Sequence, residues 1–324
     1  MRIVVVGAGA VGGYLGACMA RAGLDVTLVA RGAHLRAMAE RGVRVRSPEG
    51  DFTAHPPVTG DIEHAGPADL VVLSVKAHSL TALAPRLAPL LGPGTVVMST
   101  QNGLPWWFTH LETIDPGGVI ATAIAPDRVI GAIVYFSAEV AEPGVIRHVA
   151  RGRITVGEPD GARSERLEHV AGVLRQAGLQ VEITTRLREE IVVKLLGNAA
   201  FNPLSALTGA TLVGMVRDPD VGVVARAIMG EILTVAAALG LELPASIDER
   251  MVGAAEQAGE HRTSMLQDMD AGRPLELDAI VGGVVELGDR LGVPMPHTRT
   301  VYACVKLRAA VRGTAVSRNA GDRD

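Results

Sequence analysis

Strand and helix patterns alternate through the first hundred residues of the chain. Continuous apolar runs bounded by turn residues are typical of buried strands in a parallel sheet, and longer amphipathic runs are typical of the helices between them. These patterns predict strands at residues 3–6, 25–29, 69–75 and 95–99, and helices at residues 11–22 and 78–91. Alternation of this kind predicts an α/β domain built on a parallel sheet.

The pattern changes after Gly117, where short β-rich segments are separated by glycine and proline. They predict extra strands at a sheet edge, at residues 119–125, 129–137, 145–148 and 153–156. A helix at residues 164–176 and a strand at residues 181–184 complete this first domain. We therefore predict that the first domain spans residues 1–185.

Beyond this point the strand signals end and long amphipathic helices follow. The predicted helices cover residues 188–202, 218–239, 246–258, 277–291 and 296–311. They predict an all-α domain over residues 186–315. The remaining residues, 316–324, are small and polar and are expected to fray.

A glycine motif joins the first predicted strand to the first predicted helix. It consists of Gly7, Ala8, Gly9, Ala10, Val11 and Gly12 in the order G-x-G-x-x-G. Within a complete βαβ unit this motif indicates dinucleotide binding, because the glycines bring the pyrophosphate close to the backbone and to the helix N-terminus. The predicted fold class is thus α/β: a Rossmann-type dinucleotide-binding domain followed by an all-α C-terminal domain.

The same segment has an alternative reading as a membrane span or signal peptide, because residues 3–20 carry no charge. Four glycines within seven residues favour a tight turn over a membrane helix. The βαβ pattern that continues behind the glycines disfavours both alternatives. We expect no membrane partner.

The end of the second predicted strand indicates which dinucleotide binds. An enzyme that uses NAD usually places an acidic residue there, where it holds the ribose hydroxyls. This chain has Arg31 and no acid at that place. A guanidinium suits a 2′-phosphate, so we predict NADPH as the cofactor, with a solvated surface arginine as the alternative.

Composition narrows the class of protein. The chain has 324 residues, a net charge of −4 and only two cysteines, Cys18 and Cys304. This charge argues against a nucleic-acid partner, and this cysteine usage is typical of a reduced cytoplasmic protein. The nine histidines show no paired spacing, so no metal site is expected.

Several polar residues occupy positions suited to chemistry. Lys76 and Asn102 follow two predicted strands, at the edge of the sheet where ligands of this fold bind. Lys194, Asn198 and Asn202 recur at intervals of four and so share one helix stripe among apolar neighbours. A second polar cluster consists of Thr263, Ser264, Asp268 and Glu276, with Glu276 at a predicted helix start. Each group has a structural alternative. Lys76 and Asn102 would then be ordinary loop residues, the stripe would be a hydrogen-bonded seam between helices, and Glu276 would be a plain helix-start residue.

These residues together resemble the ketopantoate reductases (2-dehydropantoate 2-reductases), which use NADPH. The resemblance covers nearly the whole chain, up to about Arg312. It rests on residues 7–12, Arg31, Val75-Lys76-Ala77, Gln101-Asn102-Gly103, Lys194, Asn198, Asn202-Pro203-Leu204, Ser264 and Glu276. The lysine–asparagine helix and the spacing from serine to glutamate are its most specific parts.

The resemblance implies reduction of a 2-oxo acid, with ketopantoate as the leading substrate. It implies that Lys194 is the general acid and that Glu276 binds the substrate hydroxyl region and supports the proton network. Asn198, Asn202 and Ser264 would hold substrate groups. Lys76 and Asn102 would line the junction of substrate and nicotinamide.

The chain departs from the family after Gly103, where Trp106, Trp107 and Phe108 follow within a few residues. They form either a surface loop tucked onto the sheet or a remodelled pocket for another 2-oxo acid. A paralogous reductase and a non-catalytic NADP-binding regulatory protein therefore remain as alternatives. A homodimer could form through the helical domain, although no motif indicates it.

Overall fold

A computed structural model describes residues 1–150 and 152–313 of the chain. Its contacts divide into two units. The N-terminal unit comprises Met1–Gln101 and Val119–Leu187, and the C-terminal unit comprises Asn102–Gly118 and the described residues from Arg188 onward. The predicted tail at 316–324 lies outside the described residues.

The N-terminal unit contains twelve strands within the described residues. They are β1 (Arg2–Val6), β2 (Asp25–Val29), β3 (Val43–Arg46), β4 (Phe52–Ala54), β5 (Val58–Thr59), β6 (Ala68–Leu73), β7 (Leu91–Ser99), β8 (Val129–Val134), β9 (Ser137–Glu142), β10 (Val145–Ala150), β11 (Ile154–Gly157) and β12 (Val181–Ile183). Eight of them form one sheet in the order β12-β11-β8-β7-β6-β1-β2-β5. All neighbours in this sheet are parallel except β8 and β11, which confirms the Rossmann-like prediction.

The predicted edge strands are only partly at the edge of this sheet. Strands β8 and β11 extend it, whereas β9 and β10 belong to a separate four-stranded sheet in the order β4-β3-β10-β9. Residues 119–125, predicted as a strand, contain a short helix at Val119–Ala123 instead. A run this short carries too few periods to separate strand from helix.

The helices of the N-terminal unit are short. They are α1 (Ala10–Arg21), α2 (Gly32–Arg41), α3 (Ile62–Ala65), α4 (Leu80–Leu83), α5 (Val119–Ala123) and α6 (Glu165–Gln176). The single helix predicted over 78–91 is wrong. That segment contains 3₁₀ turns on both sides of α4, because Pro85 and Pro89 lack the N–H groups that a continuous α-helix requires.

Seven helices lie in the described part of the C-terminal unit. They are α7 (Leu187–Thr208), α8 (Leu212–Arg217), α9 (Pro219–Ala238), α10 (Ile247–Gln257), α11 (Ser264–Asp270), α12 (Gly283–Leu291) and α13 (Pro296–Val311). Helix α13 has its predicted bounds. Helix α7 continues through Pro203, beyond its predicted end at residue 202. Helices α7 and α9 are long and apolar enough to cross a membrane by length and composition, and the fold buries 67% and 33% of their apolar windows.

The helix predicted over residues 277–291 begins in a different form. Asp278–Gly282 is a π-helical turn, and α12 continues from it. π-turns are rare and occur frequently at functional sites, because the wider turn changes which side chains share a face. Glu276 lies two residues before this turn.

Candidate active site

The register of the sheet aligns the carboxyl ends of its central strands. Val6 of β1 pairs with Val29 of β2 and with Leu73 of β6, and Leu73 pairs with Ser99 of β7. The glycine motif, Arg31, Lys76 and Gln101 therefore all follow strand ends on one edge of the N-terminal unit. This is the edge at which open α/β sheets bind their ligands.

The glycine motif forms a tight turn with an open side. A Cβ on Gly12 would lie 2.3 Å from the carbonyl oxygen of Gly7, whereas a Cβ on Gly9 would meet no atom within 4 Å. Gly9 caps the N-terminus of α1, where no side chain accepts a cap hydrogen bond. The first N–H groups of a helix have no acceptor within the helix, so the turn fits an anion such as a pyrophosphate.

Arg31 lies directly before α2, two residues after the end of β2, and its side chain is exposed. Lys76 lies half-buried between β6 and a 3₁₀ turn at Ala77–Ser79. Their places in the N-terminal unit are compatible with the predicted cofactor contacts.

Gln101 is a positioning residue to which the sequence alone assigned no role. Its Nε2 donates hydrogen bonds to the carbonyl oxygens of Leu73 and Val75, at 3.0 and 3.3 Å. Its Oε1 accepts a hydrogen bond from the Ser99 hydroxyl at 2.5 Å. Gln101 thus joins the ends of β6 and β7, immediately before Asn102. Its place beside Asn102 in the sequence was the available signal.

In the C-terminal unit, Lys194 interacts with two of the predicted site residues, Asn102 through a hydrogen bond and Glu276 through its charge. Its Nζ donates a hydrogen bond to Oδ1 of Asn102 at 2.9 Å. Burial lowers the pKa of Lys194 to about 8, and the charge of Glu276 acts in the opposite direction. Lys194, Asn102 and Glu276 therefore form one electrostatic cluster within this unit.

Helix α7 carries the whole predicted stripe. Lys194 and Asn198 are half-buried, and Asn202 is 7% exposed. The residues between them, including Leu195 and Ala199, are buried. The stripe is therefore not a solvated surface face, and it presents one ammonium and two amides along a helix packed in apolar surroundings.

Ser264 occupies a different setting. It is exposed at the first position of α11, and its neighbour Thr263 caps that helix by accepting a hydrogen bond from the N–H of Leu266 at 3.2 Å. Asp268 on the same helix pairs with Arg273 at 2.8 Å. These contacts fix the start and end of α11, and with them the place of Ser264 in the C-terminal unit.

The three clustered aromatic residues are buried rather than displayed on a surface loop. Trp106, Trp107 and Phe108 are 3%, 8% and 3% exposed. The guanidinium of Arg188 lies 4.1 Å from the centre of the Phe108 ring. It also donates a hydrogen bond to the backbone carbonyl oxygen of Phe108 at 2.7 Å. The indole N–H groups have no acceptor among the residues that the structure describes. This segment belongs to the interior of the C-terminal unit.

The cluster around Lys194 is suited to donating a proton near neutral pH. A pKa of about 8 keeps the ammonium protonated at pH 7 and allows it to release its proton to a developing alkoxide. Its positive charge also polarises a carbonyl group in surroundings of low dielectric. The residues of this cluster therefore suit reduction of a carbonyl group to an alcohol.

Both units match known proteins. Residues 3–161 match the family described as Ketopantoate reductase PanE/ApbA, and residues 186–309 match its C-terminal domain. A 2-dehydropantoate 2-reductase of Mesorhizobium japonicum is 45% identical and covers 97% of this chain and 99% of its own length. One of Archaeoglobus fulgidus is 34% identical, with coverages of 94% and 97%. The crystal structure of 2-dehydropantoate 2-reductase from Geobacter metallireducens GS-15 shares 32% identity at a TM-score of 0.87, covering 95% of this chain and 99% of that one.

Proposed function

Because the chain belongs to the ketopantoate reductase family, we propose that it reduces 2-dehydropantoate to (R)-pantoate with NADPH. The observation that carries this proposal is the hydrogen bond between Lys194 and Asn102, with Glu276 acting on the same ammonium. The bond and the glutamate charge together link the three residues to which the family resemblance assigns proton transfer and substrate binding. The 45% identity to a relative named 2-dehydropantoate 2-reductase supports this substrate.

The N-terminal unit would hold the dinucleotide. The turn formed by residues 7–12 would bind the pyrophosphate, with Gly9 on its open side. Arg31 would bind the 2′-phosphate, and Lys76 and Asn102 would face the nicotinamide and the substrate. When bound, the reduced nicotinamide supplies a hydride to C2 of the substrate.

Lys194 supplies the proton that completes the reduction. Its ammonium would donate a hydrogen bond to the C2 carbonyl oxygen and then protonate that oxygen as the C2–H bond forms. One hydride and one proton convert the ketone to the secondary alcohol, and Lys194 regains its proton from solvent. Glu276 stabilises the charged lysine and would accept a hydrogen bond from the substrate hydroxyl.

The remaining polar residues would orient the substrate. Asn198 and Asn202 project from the same helix as the acid, and Ser264 starts α11 of the same unit. Amide and hydroxyl groups suit the carboxylate and hydroxyl of 2-dehydropantoate because they form hydrogen bonds without adding a competing charge.

We place this reaction in the cytoplasm, as a step toward pantothenate and coenzyme A, with a small 2-oxo acid as the partner. Cys18 and Cys304 are free thiols, which is compatible with a reducing compartment. A homodimer, expected as an option from the helical domain, remains part of the proposal and can be measured by sedimentation.

The burial of Trp106, Trp107 and Phe108 argues against a surface loop, which leaves the other reading of this segment, a remodelled pocket in a reductase of another 2-oxo acid, as the second candidate. Oxidation of NADPH is to be measured with ketopantoate and with a panel of 2-oxo acids that differ in side-chain size. A kcat/KM highest for ketopantoate supports the proposal. Preference for another acid supports the second candidate, and NADPH binding without turnover of any acid indicates a regulatory protein instead.

A further inference from the structure

The π-turn at Asp278–Gly282 connects two parts of the candidate site within the C-terminal unit. On one side it begins two residues after Glu276, and the Ile280 N–H donates a hydrogen bond to the Glu276 carbonyl oxygen at 3.1 Å. On the other side the Ala279 carbonyl oxygen accepts a hydrogen bond from the N–H of Leu104 at 2.9 Å. The backbone of the turn is thus hydrogen-bonded both to Glu276 and to Leu104, which lies two residues after Asn102.

The approach of these two segments is close. Gly103 has a φ of +85°, and a Cβ at this position would lie 2.2 Å from the Ala279 carbonyl oxygen. Only glycine permits this contact without a shift of backbone. The position of Asn102, one residue earlier, is therefore tied to the conformation of the π-turn.

A tyrosine from α13 bonds to the first residue of the turn and lies close to its last residue, Gly282. The hydroxyl of Tyr302 donates a 2.6 Å hydrogen bond to Oδ1 of Asp278. A Cβ on Gly282 would lie 3.2 Å from that hydroxyl and 3.3 Å from the same carboxylate oxygen. Both partners are half-buried, and burial together with the Asp278 carboxylate raises the pKa of Tyr302. The tyrosine stays a neutral donor across the working pH range of the proposed enzyme.

We infer that Tyr302 is a positioning residue for the Lys194 proton donor. Its hydrogen bond to Asp278 holds the π-turn in the conformation that places Glu276 and Asn102 against the Lys194 ammonium. The role of Lys194 in this inference rests on the proposed reductase activity. The link from Tyr302 through the π-turn to Lys194 affects the ionisation of Lys194 whether or not the protein reduces a 2-oxo acid.

The first test compares Tyr302→Phe, which keeps the ring and removes the hydroxyl, with the unaltered protein. We expect kcat to fall about tenfold, as for loss of one hydrogen bond to a charged group, with little change in KM for NADPH. The matched control is Lys306→Met. It removes the ammonium that lies 5.5 Å from the Tyr302 ring but leaves the hydroxyl, and it should retain the original kcat.

A second readout does not depend on turnover. The pH dependence of acetylation at Lys194, followed by peptide mass spectrometry, reports the ionisation of its amine. In Tyr302→Phe, Glu276 and Asn102 stabilise the charged form of Lys194 less well. The midpoint of the acetylation profile should therefore move to lower pH. An unchanged midpoint in a folded variant overturns the inference. If the unaltered protein reduces no 2-oxo acid, the proposed function fails while this measurement still decides the coupling.

The Asp278 variants separate hydrogen bonding from charge. Asp278→Asn keeps an oxygen acceptor for the tyrosine and should preserve most of the kcat and of the Lys194 midpoint. Asp278→Ala removes the acceptor and should match Tyr302→Phe. The double variant Tyr302→Phe/Asp278→Ala should be no worse than Asp278→Ala alone, because both changes break the same bond. Additive losses would show that the two residues act independently and would also overturn the inference.

Discussion

A 2.9 Å hydrogen bond joins the Nζ of Lys194 to the side-chain oxygen of Asn102, although 92 residues separate them in the chain. The segment that carries Asn102 lies between two parts of the N-terminal unit in sequence, yet it packs within the C-terminal unit. The ammonium of Lys194 and the amide of Asn102 are therefore held by one unit. We expect their geometry to be set by the packing of that unit alone.

Replacing Lys194 by methionine should remove most of the activity. A general acid contributes about 10²–10⁴-fold to a rate, so kcat should fall within that range. NADPH affinity, followed by fluorescence titration, should stay close to its original value because the proposed phosphate contacts lie in the N-terminal unit. A decrease in kcat smaller than about tenfold would assign proton donation to another group.

The pH profile of the unaltered enzyme gives a second measure of the same group. Lys194 must carry its proton to act as the acid, and burial lowers its pKa to about 8. We expect kcat to be independent of Lys194 ionisation below this pH and to fall as pH rises above it. Replacing Glu276 by glutamine should move this alkaline limb to lower pH, since the glutamate charge favours the protonated amine.

The same substitution of Lys194 should stabilise the fold at neutral pH. The pKa of Lys194 is lower in the folded protein than in the unfolded chain, so folding is opposed wherever the unfolded lysine is charged. Lys194→Met should raise the free energy of unfolding by about 1–2 kcal/mol at pH 7. The gain should shrink as pH rises from about 8 through 10.5, where the unfolded lysine also loses its proton. Denaturant titrations at pH 7 and pH 11 measure the difference, and an equal gain at both values would contradict this account.

Sequence patterns predicted the parts of this protein that depend on local physics. The glycine motif lies at the end of a strand and opens a helix, and the lysine–asparagine stripe follows directly from helical periodicity. Strand β2 has its predicted bounds, since its sequence Asp-Val-Thr-Leu-Val alternates polar and apolar residues as a short strand between turn signals does. These features need no knowledge of distant contacts.

The features that the sequence did not predict depend on contacts between distant segments. The burial of Trp106 is decided by what packs on it, and its sequence neighbourhood is equally compatible with a surface loop. The π-turn at Asp278–Gly282 accepts a hydrogen bond at Asp278 from Tyr302, which lies twenty-four residues further along the chain. The sequence pattern over 277–291 correctly predicts a helix with one apolar face. It does not show that the first turn of this helix, at Asp278–Gly282, is a π-turn.

Two alanine substitutions in the glycine motif should affect different properties, one NADPH binding and the other thermal stability. A Cβ on Gly9 meets no atom within 4 Å, so Gly9→Ala should leave the thermal stability nearly unchanged while its methyl group blocks the proposed phosphate position. We expect its NADPH dissociation constant to rise at least about tenfold. A Cβ on Gly12 would lie 2.3 Å from the carbonyl oxygen of Gly7, so Gly12→Ala should lower the melting temperature. Full NADPH affinity in a folded Gly9→Ala variant would show that the phosphates bind elsewhere.

Arg31 determines the preference between the two nicotinamide cofactors if its exposed guanidinium binds the 2′-phosphate. A charged hydrogen bond to phosphate contributes about 1.5–3 kcal/mol, so Arg31→Ala should lower kcat/KM for NADPH by about 10- to 100-fold. The value for NADH, which lacks this phosphate, should hardly change. Arg36→Ala is the matched control, because Arg36 is an exposed arginine on the same helix, and it should retain the original ratio. Equal kcat/KM values for NADPH and NADH in the unaltered enzyme would assign Arg31 to an ordinary solvated surface.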